Sequence, residues 1–432
     1  MYTPQIRVKT EGFRAIANAD IIIDGITVVT GENGCGKSTL SKLLYYLYKT
    51  GTNYEKLVVD ELRKKLSDTY RFLQVVIPDL SFALNEKNAK KELEEFYNED
   101  SLSENLLEKW KMFISKISHV FSRVSTEQQD LLFQSSWKTR MKHILGDILD
   151  QNESPSKDFQ EIFNELTNHV ASIFNESFEK INSRPVGLFL DAIDSIFSEG
   201  KLPRKFEVYE YESQIVAMDK TNLSVFYSID NAIYLDTPMV LLNEQSENDH
   251  WNDLRALLLK KGKSTSSNLN TILNNEILKG DVSLDDSLYN RFVFKRVDGT
   301  TFNLFDCATG VRSFGILQLL LKNGSLTDKT LFIIDEPESH LHPQWIIEYA
   351  RMIVLLHKEI GVKFFIASHN PDMVSAIKYI SMKEGVEDKL NYYLAEKSEN
   401  KFMYNYLHLK QEIDPIFASF NIAIDRINQY GI

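Results

Sequence analysis

Near its start the chain reads Gly31-Glu32-Asn33-Gly34-Cys35-Gly36-Lys37-Ser38-Thr39. This stretch matches the phosphate-binding pattern GxxxxGK(S/T) at every fixed position. It directly follows residues 25–30, whose β-branched and apolar side chains are typical of a short buried strand. The residues after it carry leucines at helical spacing, from Leu40 to Leu47. A loop that ends a strand and opens an amphipathic helix predicts nucleotide binding.

The predicted loop places backbone N–H groups and a positive charge around a triphosphate. Its glycines let the backbone turn tightly and point N–H groups at phosphate oxygens. Lys37 supplies a point charge to the β- and γ-phosphates, Ser38 offers a hydroxyl to Mg²⁺, and Thr39 can bond an α-phosphate oxygen. The predicted cofactors are therefore ATP and Mg²⁺. The predicted nucleotide-binding residues of the loop are Gly31, Asn33, Gly34, Gly36, Lys37, Ser38 and Thr39.

A second segment ends in two adjacent carboxylates. Residues 331–334 are all apolar, as in a strand buried on both faces of a parallel sheet, and Asp335 and Glu336 follow them. Asp335 would hold Mg²⁺, directly or through water. Glu336 would polarise the attacking water as a general base. The alternative is a strand that ends in a solvated acidic turn, and the phosphate loop in the same chain favours catalysis.

A third predicted strand, residues 362–368, leads to His369. A histidine at the carboxyl end of a parallel strand lies on the ligand edge of the sheet, where it can bond the γ-phosphate. A structural histidine is the alternative, but its position one helix after the acidic pair favours function. The predicted catalytic residues are Lys37, Glu336 and His369.

At these residues the chain resembles the ABC-type ATPases of the SMC, RecF and OLD group. Residues 335–343 read DEPESHLHP, residues 368–371 read SHNP, and residues 12–16 resemble the strand and turn that open these heads. The resemblance covers residues 1–50 and 205–390. It implies an α/β fold, an ABC-type P-loop ATPase head with a mixed sheet and helices, and an enzyme that hydrolyses ATP to ADP and phosphate.

The resemblance also implies a signature motif and one more metal contact. Residues 308–313, ATGVRS, are similar to the SSGxxS form of this group and depart from the LSGGQ form of transporters, so no membrane partner is implied. In the family this motif binds the γ-phosphate held by the opposite subunit. Thr309 and Gly310 would then act in trans, in a head-to-tail dimer of heads or a higher oligomer. An ordinary helix start is the alternative. The family's Mg²⁺-contacting loop is assigned to Asp236, with Gln245 as the alternative.

The chain divides into three predicted segments. Residues 1–52 form the N-terminal part of the head with the phosphate loop. Residues 53–204 form a compact, mainly helical insertion. Residues 205–432 form the C-terminal part of the head, which contains the signature, the catalytic strand that ends in Asp335 and Glu336, and the switch histidine, His369. Because the insertion lacks sustained heptads, it cannot form the long coiled-coil arm of SMC proteins. We expect it to serve protein contacts.

Composition limits the classes of function. The 432 residues are 43% hydrophobic and 25% charged, which is typical of a globular protein. We expect a cytoplasmic location, because no apolar run is long enough for a membrane span and residues 1–9 lack a signal peptide. The net charge of −12 makes DNA a partner that is allowed but not required. The two cysteines, Cys35 and Cys307, cannot make a disulfide framework, and neither lies in a CxxC pair, which excludes a zinc hook or a zinc ribbon.

The stretch from Phe314 to Leu321, together with Trp345, resembles the ATPase subunits of PARIS-type (AriA-like) and Septu-type (PtuA-like) anti-phage systems. It implies a regulatory or sensor ATPase that controls a separate effector, expected to be a nuclease, with a phage protein as trigger. The alternative is a RecF- or SMC-like DNA-maintenance ATPase that clamps duplex DNA. A third hypothesis is a scaffold that barely hydrolyses ATP, and Glu336 argues against it. The chain itself shows no nuclease motif.

Overall fold

The structure is a computed structural model. It describes residues 5–80, 85–123, 148, 159–197, 202–236, 249–262, 267–285, 291–400 and 402–418. The chain forms two compact units, which consist of residues 1–52 with 190–432 and of residues 53–189.

The first unit is built on a mixed sheet. Within the described residues its strands are β1 (Ile6–Phe13), β2 (Ile16–Ile22), β3 (Ile26–Thr30), β4 (Lys205–Glu210), β5 (Ser213–Ala217), β6 (Asn231–Leu235), β10 (Thr330–Asp335), β11 (Lys363–Ala367), β12 (Leu390–Lys397) and β13 (Tyr404–Lys410). They lie in the order β5-β4-β1-β2-β13-β12-β3-β11-β10-β6. A separate antiparallel sheet contains β7 (Gly280–Asp285), β8 (Arg291–Arg296) and β9 (Thr301–Asn303).

Helices connect and cover these strands. The helices of the first unit are α1 (Lys37–Thr52), α7 (Asp249–Leu259), α8 (Ser267–Thr271) with the π-helical turn Ile272–Ile277, α9 (Thr309–Lys322), α10 (Pro343–Ile360) and α11 (Pro371–Glu384). The 3₁₀ turns are Leu304–Asp306 and Glu387–Lys389. Residues 414–418 are helical.

The centre of the sheet is parallel and buried on both faces. Strands β12, β3, β11, β10 and β6 run in the same direction. Every residue of β3, β10 and β11 is buried. This explains their continuous apolar sequences, because helices cover both faces of such a sheet. The carboxyl ends of these strands therefore meet at one edge, as the predicted mixed-sheet head requires, and this α/β fold is confirmed.

The second unit is helical. Its helices are α2 (Tyr54–Asp79), α3 (Glu86–Tyr97), α4 (Glu104–Arg123), α5 (Phe159–Ser183) and the first half of α6 (Val186–Phe197). Apolar side chains that recur at helical spacing form one core, which contains Trp110 and Phe113 from α4 and Phe163 and Phe174 from α5. Packing of these helices against each other explains the spacing.

The boundary after the insertion differs from the sequence-based one. It falls between residues 189 and 190, inside α6, rather than at residue 204. The second half of α6 belongs to the first unit because Phe197 packs edge-on against Phe13, with ring centroids 5.1 Å apart, and its carbonyl accepts a hydrogen bond from Arg14. Helical periodicity shows where a helix lies, but not which core it joins.

Within the described parts of the chain, no helix combines the length and the apolar character that a bilayer-spanning segment needs.

Candidate active site

The phosphate loop lies between β3 and α1 and is shaped by close packing. Gly31 has φ of 151°, and a Cβ there would lie 2.7 Å from the Cβ of Ala395 on β12. Gly36 has φ of 96°, which side chains other than glycine rarely adopt. The Tyr406 hydroxyl on β13 donates a hydrogen bond to the Cys35 carbonyl of the loop at 3.0 Å. Ala395 and Tyr406, which come more than 350 residues later in the chain, therefore help to fix the shape of the loop.

Lys37 is almost fully buried at the first position of α1. Its Nζ donates to the carbonyl oxygens of Gly31 at 2.9 Å and Glu32 at 3.0 Å, so the ammonium group lies inside the turn of the loop. Above it lies a cavity of about 210 Å³. The residues that line this cavity are Arg14, Ala15, Asn33, Gly34, Gly36, Lys37, Ser38, Thr39 and Glu336.

Asp335 lies at the carboxyl end of β10 and its side chain is buried. Its Oδ2 accepts a hydrogen bond from the Tyr234 hydroxyl at 3.3 Å, whereas its Oδ1 has no hydrogen-bond partner among the described residues. Burial raises the pKa of Asp335, although a hydrogen bond from Ser38 works against that rise. A buried carboxylate oxygen without a partner, beside a serine hydroxyl, fits the oxygen ligands that Mg²⁺ prefers. Asp335 and Ser38 could therefore hold this ion.

Glu336 is the next residue, and its backbone is strained, with φ of 50°. Its N–H donates to the Ala367 carbonyl at 2.8 Å, which ties the turn to the neighbouring strand β11. Its side chain is 43% exposed and reaches the cavity, where Oε1 lies 3.5 Å from Nδ1 of His369. The structure thus brings Glu336 and His369, two of the three predicted catalytic residues, together at the edge of the sheet where the phosphate loop also lies.

Glu338 is a residue of this site to which sequence reasoning gave no role. Its buried carboxylate accepts hydrogen bonds from the Ser368 hydroxyl at 2.8 Å and from the backbone N–H of His369 at 3.0 Å. It therefore holds the turn that carries His369. The available signal was its place in the DEPE stretch, but its partners lie 30 and 31 residues away.

Asp236 follows β6, the strand beside β10. Its Oδ1 accepts from Nε1 of Trp251 at 2.9 Å, and its Oδ2 lies 3.0 Å from Nε2 of His250. Burial by itself would raise the pKa of Asp236, but these two ring contacts hold it below its usual range. The carboxylate is thus engaged with α7, and its contact to Mg²⁺ remains a prediction. The alternative, Gln245, lies outside the described residues.

The signature residues begin α9. The Thr309 hydroxyl accepts a hydrogen bond from Arg312 at 3.4 Å, and its carbonyl accepts one from the Ser313 hydroxyl at 3.1 Å. Gly310 packs against α10, since a Cβ there would lie 2.5 Å from Cε3 of Trp345. Among the described residues, the lining of the cavity above the phosphate loop includes neither Thr309 nor Gly310.

The fold and this edge of the sheet define a P-loop ATPase. A family model described as AAA ATPase domain, AAA_15, matches residues 6–374, and the chain belongs to this family. The protein therefore binds nucleotide and hydrolyses ATP.

Solved structures of SMC heads are similar to this chain. The SMC head domain from Thermotoga maritima has a TM-score of 0.36 and 10% identity, and the match covers 93% of this chain and 97% of that one. The Smc head domain of Pyrococcus furiosus, with an extended coiled coil and bound to the C-terminal domain of ScpA, has a TM-score of 0.34 and 10% identity over 99% of each chain. A search of curated protein sequences finds no match.

Replacing Lys37 with alanine should abolish ATP binding. The substitution removes the ammonium group that lies within the turn of the loop. Isothermal titration calorimetry of Lys37→Ala with ATP would measure the loss, and Lys42→Ala, on the exposed face of α1, is the matched control. Retained affinity in Lys37→Ala would contradict the role of the loop.

Replacing Glu336 with glutamine should lower the turnover number by about 10²–10⁴-fold, the range that a general base contributes, while ATP binding persists. Steady-state phosphate release and a separate binding titration would measure the two effects. Glu359→Gln removes the same charge from an exposed position near the end of α10 and should leave turnover unchanged. Wild-type turnover in Glu336→Gln would exclude Glu336 as the base.

Proposed function

We propose that this ATPase is the regulatory or sensor subunit of a bacterial anti-phage system and controls a separate effector, expected to be a nuclease. Its heads would pair head to tail around two ATP molecules, and hydrolysis would loosen the pair. The observation that carries the proposal is the separation of two half-sites in one chain. Among the described residues, the cavity at the phosphate loop is lined by residues 14–15, 33–34 and 36–39 and by Glu336, without the signature residues Thr309 and Gly310.

A second copy would supply the missing half-site. Thr309 and Gly310 occupy the first turn of α9, where free backbone N–H groups and the positive end of the helix dipole favour an anion. The γ-phosphate held by the loop of another chain is such an anion. ATP would therefore join two chains, and its hydrolysis would release the γ-phosphate that both chains contact.

Within each half-site the described side chains divide the chemistry. Lys37 would bind the β- and γ-phosphates, Glu336 would accept a proton from the attacking water, and His369 would contact the γ-phosphate. Mg²⁺ bound by Asp335 and Ser38 would offset the negative charge of the phosphates.

The resemblance to defence ATPases is carried by side chains that pack together. The ring of Phe314 lies 5.3 Å from those of Trp345 and Tyr349, measured between centroids. Gly310 fits against the same Trp345. This cluster joins the start of the signature helix α9 to α10, the helix that follows the catalytic strand. A movement of the catalytic strand on hydrolysis would be passed through α10 and this cluster to the signature helix α9.

The insertion offers a surface that suits a protein partner. On the described surface of this unit, α3 and α4 border a cavity of about 290 Å³ that is lined by Glu92, Glu95, Phe96, Glu99, Lys109 and Met112. Met112 is 70% exposed, and Glu92 and Glu99 form ion pairs with Lys116 and Lys109. An exposed apolar side chain surrounded by paired charges suits contact with a protein surface.

ATP turnover should be slow and indifferent to duplex DNA. The proposal links hydrolysis to a protein partner, so DNA offers no activating contact. Phosphate release with and without duplex DNA, with Glu336→Gln as the blank, measures this. Clear stimulation by DNA would instead favour a DNA-maintenance ATPase that clamps duplex DNA.

Thr309→Asp should prevent ATP-dependent pairing. An aspartate in the first turn of a helix is compatible with α9 but repels the γ-phosphate of a partner's ATP. Analytical ultracentrifugation in the Glu336→Gln background with ATP should show dimers or larger oligomers, and Thr309→Asp should leave monomers that still bind ATP. Gly310→Asp is the poorer probe, because its Cβ would collide with Trp345 in the same chain. Pairing that survives Thr309→Asp would exclude the role in trans.

A further inference from the structure

Tyr234 contacts the carboxylate of Asp335 from the neighbouring strand. It lies on β6, where it pairs in parallel with Ile333 of β10. Its hydroxyl lies 3.3 Å from Oδ2 of Asp335, and its side chain is 1% exposed. A carboxylate oxygen accepts hydrogen bonds, so the phenol hydroxyl of Tyr234 is the donor in this contact.

This donor leaves the two oxygens of Asp335 unequal. Oδ2 has the tyrosine hydroxyl, and Oδ1 is buried without a hydrogen-bond partner among the described residues. Ser38 also donates to this carboxylate, from the phosphate-loop side, and Tyr234 restrains it from the neighbouring strand. With these donors the carboxylate cannot rotate freely about its Cβ–Cγ bond. Oδ1 then points in a defined direction. Because a buried polar atom without a partner costs free energy, a ligand that contacts Oδ1 would stabilise the site.

The ring of Tyr234 is itself held in place. Its centroid lies 4.8 Å from that of His250 and 5.8 Å from that of Tyr45. His250 is in turn fixed by the carboxylate of Asp236 at 3.0 Å. Asp236, at the end of the same strand, thus keeps the aromatic neighbour of Tyr234 in position. A hydroxyl on a ring that cannot move is a fixed donor.

We propose that Tyr234 is a positioning residue that orients the carboxylate of Asp335 toward the divalent cation of the metal–nucleotide complex. This inference rests on the proposed role of Asp335 in binding that cation. Without the hydroxyl, the carboxylate would sample other orientations and bind the cation less tightly. Among the described residues the lining of the phosphate-loop cavity does not include Tyr234, so this cavity would still bind the nucleotide.

The test separates metal binding from nucleotide binding in the full-length protein. Tyr234→Phe keeps the ring and removes the hydroxyl. Tyr45→Phe is the matched control, because Tyr45 is equally buried in the same aromatic cluster and its hydroxyl donates to Asp253 instead. Calorimetry measures ADP binding in EDTA, and electron paramagnetic resonance measures Mn²⁺ binding to the protein with ADP.

For Tyr234→Phe we expect a five- to tenfold weaker affinity for Mn²⁺ and an ADP affinity in EDTA within twofold of wild type. Tyr45→Phe should match wild type in both. Unchanged Mn²⁺ affinity in Tyr234→Phe, an equal loss in Tyr45→Phe, or a parallel loss of ADP affinity in EDTA would each overturn the proposal. Asp335→Asn tests the underlying assumption separately: it should weaken Mn²⁺ binding more than Tyr234→Phe does, and wild-type Mn²⁺ affinity in this variant would remove Asp335 as the ligand.

Discussion

Parallel pairing of β3, β11 and β10 is the constraint on which the rest of this molecule depends. Ile26 pairs with Phe364, and Phe364 pairs with Phe332, so the three buried strands end at the same edge. Lys37 and Asp335 are far apart in the chain and meet there only because of this register. A slip of one residue would turn every side chain of a strand to the opposite face and separate the loop from the carboxylates.

Three acidic residues near that edge differ in their surroundings, and this difference separates their tasks. Asp335 is buried and keeps one oxygen without a partner, which suits a cation. Glu336 is partly exposed and opens to the cavity, which suits exchange of a proton with water. Glu338 is buried and its Oε1 accepts hydrogen bonds from the turn at His369, which suits support of the backbone, whereas its Oε2 has no hydrogen-bond partner among the described residues. Their neighbours, rather than their common carboxylate chemistry, distinguish them.

The proposed signature residues lie outside the lining of the phosphate-loop cavity. Thr309 and Gly310 start a helix that packs on α10 through Trp345, and among the described residues neither lines that cavity. In the proposed function, ATP would therefore be bound between two chains, and its hydrolysis would separate them. The cavity between α3 and α4 of the helical insertion is the surface on which a protein partner would sense this change.

Local patterns were enough to predict the buried strands, the phosphate loop and the helix that follows it, because each depends on nearby residues. The α/β ATPase head, which is confirmed, followed from the family resemblance that these motifs carry. The rules of parallel sheets then predicted that Lys37, Glu336 and His369 lie at one edge. The contact of Tyr234 with Asp335 and that of Glu338 with the turn at His369 did not follow, because each joins residues 30 or more positions apart. The end of the insertion inside α6 was likewise decided by which core Phe197 joins. Side-chain packing between distant segments has no local signature in the sequence, so only the tertiary structure could specify it.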